Sequence, residues 1–142
     1  MTAESLFSLC STGVVPGWLL LIFAPRWRWT QRLVASGGLS LLLAAVYLVL
    51  IAIHFKGAEG GFGSLAEVAR LFRNPYLLLA GWIHYLAFDL FIGGWEVRDA
   101  QALGLPHPAV VPCLLLTFLF GPIGLLTYFG LRLGLKGRLP GA

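Results

Sequence analysis

Long apolar runs separated by short polar hinges dominate the chain, and four of these runs approach the ~20 residues needed to cross ~30 Å of hydrocarbon. They cover Leu6 to Ala24, Leu33 to Ile53, Tyr76 to Gly93 and Ala109 to Leu131. Each predicts a transmembrane helix, and together they predict an all-α membrane protein with four spans in one domain over residues 1–142. Pro16-Gly17 interrupts the first run, where a missing backbone hydrogen bond should kink the helix. Arginine and tryptophan alternate just after it, at Pro25-Arg26-Trp27-Arg28-Trp29, a pattern suited to interfacial anchoring or, for a tryptophan, to lining a ligand site. The second run offers small faces for close helix packing at Gly37, Gly38, Ser40 and Ala44, with His54 at its far, interfacial end. Gly121-Pro122 and Gly124 should bend the fourth run and open space for a ligand.

Between the second and third runs the pattern changes. A glycine-rich stretch leads into SLAEVARLFRNP, where Ser64 and Glu67 form a capping box. Leu65, Val68, Leu71 and Phe72 share one face, which predicts a short amphipathic helix on the membrane surface, ending at Asn74-Pro75.

Composition sharpens the membrane reading. Hydrophobic residues make up 58% of the chain and charged residues only 11%, whereas soluble domains carry roughly 25% charged residues. Glu4 is the only charge before the first run, so that run reads as a retained span rather than a cleaved signal. The net charge of +4 comes from scattered Lys and Arg flanking the spans, which suits anionic lipid headgroups and excludes nucleic acid as a partner. With four straight spans, Lys56, Arg70, Arg73, Arg132, Lys136 and Arg138 fall on one side and Arg26, Arg28, Arg32 and Arg98 on the other. This small excess favours both termini in the cytoplasm, with a bacterial inner membrane as the expected location. Cys10 and Cys113 form no disulfide framework and read as small buried hydrophobes. A chain this small could also form homo-oligomers.

The candidate chemistry is concentrated between Trp82 and His107, which holds Asp89, Glu96 and Asp99 of the chain's six acidic residues and His84 and His107 of its three histidines. His84 and Asp89 lie inside the third run, where an ionisable side chain is costly and marks function by default. At 100° per residue, Asp89, Glu96 and Asp99 share a face if the helix continues through Gly93-Gly94, and Arg98 points away. His84 lies about 140° around from Asp89, so a straight helix cannot bring all five groups to one ion. Either Gly93-Gly94 breaks the helix, or there are two zones, with His107 able to swing back over the carboxylates. Three readings follow. The five residues His84, Asp89, Glu96, Asp99 and His107 could hold a divalent metal such as iron, manganese, zinc or magnesium. Asp89, Glu96 and Asp99 could perform metal-free acid–base catalysis. Alternatively, Glu96 or Asp99 is tied into salt bridges with Arg98, Arg28 or Arg32. No haem is expected, because nothing here pairs spans that each carry an axial histidine.

The segments NPYLLLAGWIHYLAFDLFIGGWEVRDAQ and GLPHPAVVPCLLLTFLFGPIGLLTY, with the earlier PGWLLLIFAPRWRWT, resemble the small four-helix membrane family of plant neoxanthin synthase, the abscisic-acid-deficiency protein. That resemblance implies carotenoid chemistry: an isomerisation in which an epoxide opens and a proton leaves carbon. An acid or a metal acting on the epoxide oxygen, with a base near the polyene, would suffice. The expected function is therefore a membrane enzyme of isomerase type acting on a carotenoid or related isoprenoid. The alternative is a non-catalytic subunit or carotenoid-binding scaffold with a salt-bridged polar loop.

Overall fold

The computed structural model describes residues 1–141, and every regular element among them is helical. Three helices are long and apolar enough to cross a membrane: Ala3–Phe23, Thr30–His54 and Pro75–Leu103. The first is α1 (Ala3–Phe23), which runs on through Pro16 and is capped by the Thr2 hydroxyl. The second begins as a π-helical segment (Thr30–Ala35), turns at Gly37 and continues as α2 (Gly38–His54). Gly37 has φ 91, a left-handed conformation that favours glycine, and the Phe91 ring lies 3.2 Å from where its Cβ would be. The third is α4 (Pro75–Leu103), opened by the Asn74 side chain and closed by Gly104.

α3 (Leu65–Leu71) forms where the capping box predicts it. Ser64 accepts from the Glu67 amide at 3.2 Å, and the Glu67 carboxylate reaches back to the Gly63 amide at 3.0 Å. Leu71 packs inward, while Leu65 is largely uncovered.

α4 is the axis of the fold. α1 runs parallel to it, since Phe7 meets Trp82 and Trp18 meets Gly93. α2 runs antiparallel, since Tyr47 meets His84 and His54 stacks on Tyr76. Gly93-Gly94 does not break α4. A Cβ at Gly93 would lie 2.6 Å from the Trp18 ring, and one at Gly94 would lie 3.1 Å from the Ala35 Cα. These glycines let three helices approach closely, as small residues do in membrane bundles.

The fourth expected span, over 109–131, is not one helix. It divides into α5 (His107–Phe120) and α6 (Pro122–Lys136), separated by Gly121 with φ 46 and ψ −90. Gly121 sits beside Asp89, yet Tyr128 and Arg132 both bond to Asp99, nearer the C-terminal end of α4. α6 therefore returns along α5 toward the end from which α5 set out. Gly124 packs directly on the Thr117 backbone, leaving no room for a side chain between the two arms. The 14 residues of α5 reach only about 21 Å, short of the ~30 Å of a hydrocarbon core. The proline at the break ends the hydrogen-bonding ladder, and glycine permits the reversal. With this hairpin in place, residues 132–138 lie at the same end of the bundle as residues 24–37, not opposite them.

Candidate functional site

The three carboxylates of α4 share a face, because the helix is continuous, and that face is turned to the α5–α6 hairpin. Their surroundings differ. Asp99 is satisfied: it accepts the Tyr128 hydroxyl at 2.6 Å, Arg132 Nε at 2.8 Å and Arg132 Nη2 at 3.2 Å. Arg132 is itself buried, and Tyr128 is 0% exposed. The ion pair is thus made by Arg132, whereas the sequence pointed to Arg98, Arg28 or Arg32 as partners. Arg98 lies over the Phe91 ring at 5.9 Å, and one of its guanidinium nitrogens is buried without a partner.

Glu96 is 0% exposed and receives the Thr117 hydroxyl, 2.9 Å from Oε1 and 3.2 Å from Oε2. Among the described residues no basic side chain pairs with it, so a single hydroxyl ties this acid to α5.

Asp89 differs from both. It stands at the midpoint of Pro75–Leu103, about 21 Å along the helix from each end. Its Oδ2 is buried with no hydrogen-bond partner, and a Cβ at Gly121 would lie 2.6 Å from its Oδ1. One turn earlier, the Tyr85 hydroxyl reaches the Phe118 carbonyl at 3.2 Å and the Leu119 carbonyl at 2.9 Å. These are among the last carbonyls of α5, which have no partner within their own helix. Tyr85 thereby fixes the tip of the hairpin against α4, beside Asp89.

The histidines do not join this face. His84 is exposed on the α2 side of α4, its ring 5.9 Å from Tyr47 and 4.7 Å from Phe88. His107 bonds through Nε2 to the Ile22 carbonyl at 2.8 Å and so caps the C-terminal end of α1. It does not swing back over the carboxylates. Nearby, Gln31 and Gln101 both reach the Pro25 carbonyl and tie the same end of the bundle together. The five-residue metal set His84, Asp89, Glu96, Asp99 and His107 does not converge. Among the described residues, no group of three or more His, Cys, Asp or Glu is placed to hold a metal ion. Among the described residues, the donor arrangement does not fit a divalent metal.

Tyr85, Thr117, Tyr128 and Arg132 complete the site and were not singled out by the sequence. Their only signal is indirect: Tyr128 and Arg132 are four residues apart, one turn of one helix face. They point to Asp99 only once the chain is known to reverse at Gly121.

Comparisons with known proteins agree with the resemblance seen in the sequence. The profile of the family described as ABA DEFICIENT 4-like matches residues 5–128. Protein ABA DEFICIENT 4, chloroplastic, from Arabidopsis thaliana, is 26% identical over 137 residues, covering 89% of this chain and 60% of the relative. The alignment thus spans less than two thirds of that relative's length. Its chloroplastic location gives no support to a bacterial inner membrane for this chain. No solved structure matches the chain.

Proposed function

This chain belongs to the ABA DEFICIENT 4-like family, and from that premise we propose that it acts within the bilayer on a carotenoid or related isoprenoid, with Asp89 as the group that handles the proton. One observation carries the reading: Asp89 has an enclosed carboxyl oxygen without a partner, at the middle of a helix long enough to span. Placing such a group at the centre of a span costs about 3 kcal/mol even on mild insertion scales, and such residues mark function. A broken helix at membrane depth is tolerated only where it is buried in protein or lines a cavity. The Gly121 break is set directly against Asp89.

The chemistry we assign is an isomerisation that opens an epoxide. The Asp89 carboxylic acid gives its proton to the epoxide oxygen as the C–O bond breaks. The carboxylate then takes a proton from a carbon of the polyene, whose C–H electron pair becomes the new double bond. Substrate and product have the same composition, and Asp89 ends protonated as it began. Tyr85 positions the hairpin tip beside the acid. Glu96 and Asp99 hold the hairpin through Thr117, Tyr128 and Arg132 and do not themselves meet the substrate.

In the membrane we read three crossings, with α5–α6 as a re-entrant hairpin and α3 as a surface helix. Residues 24–37, Arg98 and residues 132–138 then share one side, which carries seven basic residues: Arg26, Arg28, Arg32, Arg98, Arg132, Lys136 and Arg138. The other side carries three: Lys56, Arg70 and Arg73. The positive-inside rule assigns the first side to the cytoplasm or its equivalent and places the two termini on opposite sides.

Co-expression in a bacterium that makes epoxidised carotenoids tests the proposal. Chromatography should show a new isomer with the wild-type chain and none with Asp89→Asn. An unchanged pigment profile with well-expressed wild-type protein overturns the catalytic reading. It would favour the second one, a non-catalytic carotenoid-binding subunit, which draws on the structural partners that Glu96 and Asp99 have in the hairpin.

A further inference from the structure

On the opposite side of α4 from Asp89 lies a cavity of about 310 Å³ between α2, α3 and α4. That volume falls in the range of small-molecule sites. Its walls are aromatic, from Phe55, Phe62 and Phe72, and Gly81 keeps it open, since a Cβ there would lie 3.3 Å from the Phe72 ring. Tyr47 and His84 also line it, their rings edge to face at 5.9 Å. Among the described residues neither polar tip makes a hydrogen bond within the protein. Two unpaired hydrogen-bonding groups well inside a span are expensive in hydrocarbon. A second, apolar furrow lies between α2 and α4 along Ala44 and Phe88 to Ser40, whose hydroxyl is also buried without a partner.

We propose that this cavity binds the oxygen-bearing ring of an isoprenoid lipid, with Tyr47 and His84 hydrogen-bonded to the ring oxygen and the apolar remainder lying along the α2–α4 furrow. The aromatic walls suit a flat ring, and the polar pair supplies a donor and an acceptor at one point. The proposal rests on the isoprenoid reading for its ligand class but not on catalysis by Asp89. Two sources share this chemistry: the hydroxylated end ring of a carotenoid and the headgroup of a prenyl quinone.

The full chain, purified in detergent, is loaded separately with zeaxanthin, β-carotene and ubiquinone-10, and the retained ligand is measured against protein by absorbance. β-Carotene is the control without oxygen. Either oxygenated ligand should be retained about tenfold better than β-carotene, the effect of one or two hydrogen bonds. Preference for zeaxanthin identifies a carotenoid ring, and preference for ubiquinone-10 identifies a quinone headgroup. Tyr47→Phe and His84→Phe keep the ring volume and should remove that preference while leaving the protein monodisperse. Equal retention of all three ligands, retention of none, or a preference unchanged in both variants overturns the proposal. The readout is retention, whereas the Asp89 reading is tested by conversion, so either can fail alone.

Discussion

Asp89 and Asp99 sit ten residues apart on one face of α4, and the two ends of the α4–hairpin interface treat them oppositely. At Asp99 the hairpin supplies a phenol and a guanidinium, and each carboxylate oxygen finds a donor. At Asp89 it supplies a turn of backbone and no donor, although the Tyr85 hydroxyl is close by and committed elsewhere. Glu96, between them, is intermediate, with one neutral donor. The same helix face thus grades from an ion pair near the end of α4 to a carboxyl with an unpaired oxygen at the middle of the helix. An acid that is fully bonded serves packing, whereas one left unpaired at high cost is available to a ligand.

The largest effect should come from the unpaired end. Asp89→Asn keeps the shape and removes the exchangeable acid proton, so conversion of the pigment substrate should fall by about 10²–10⁴, the usual worth of a general acid. Stability of the extracted protein should change little, because the buried Oδ2 has no hydrogen bond to lose. Pigment chromatography and a thermal-melting assay read the two quantities on the same sample. A large loss of stability with conversion intact would make Asp89 a structural residue like Asp99 and erase the contrast.

At the paired end the expectation is reversed. Asp99→Ala leaves Arg132 facing a low-dielectric interface without its carboxylate, and Arg132→Ala leaves Asp99 with Tyr128 alone. Breaking a buried pair by removing one partner costs more than replacing both. Each single variant should therefore melt below the Asp99→Asn, Arg132→Met double variant, a difference read by thermal melting of the three. Activity should follow the amount of folded protein, not the substitution itself. If the double variant is the least stable of the three, the pair is not acting as a unit.

How much of this was readable beforehand follows from what helical periodicity can and cannot carry. That Asp89, Glu96 and Asp99 share a face needs only a fixed angle per residue and a continuous helix, and it was legible. That Asp89 is costly needs only the apolar run around it. The reversal at Gly121 was not legible, because a Gly-Pro step inside an apolar run signals a bend as readily as a turn back. That one ambiguity sent Arg132 to the wrong end of the bundle, hid Tyr128, and made one helix of what is a two-helix hairpin. Gly93-Gly94 was ambiguous in the same way: glycine pairs mark both hinges and close contacts, and the Trp18 ring on the other helix makes this pair a contact. The role of His107 was out of reach because its partner is a backbone carbonyl on α1, and any residue can offer one.

The break itself lends itself to a finer test. Gly121→Ala places a Cβ at φ 46 and ψ −90, outside the regions that L residues favour, and within 2.6 Å of Asp89 Oδ1. Strain of this kind costs about 1–3 kcal/mol, and it is relieved only if the hairpin tip or the Asp89 carboxyl moves. Both ends of the interface then report. Stability should fall by that amount, and conversion should fall further than the loss of folded protein explains.

Thr117→Val gives the smallest effect and separates Glu96 from its neighbours. It removes the single donor to a fully buried carboxyl while conserving volume, so stability should fall by about 1–3 kcal/mol. Conversion per folded molecule should stay the same, because Glu96 is fully buried beneath the hairpin. A loss of conversion beyond the loss of folded protein would extend the reactive zone from Asp89 to Glu96. The boundary between the unpaired and the paired end would then lie between Glu96 and Asp99.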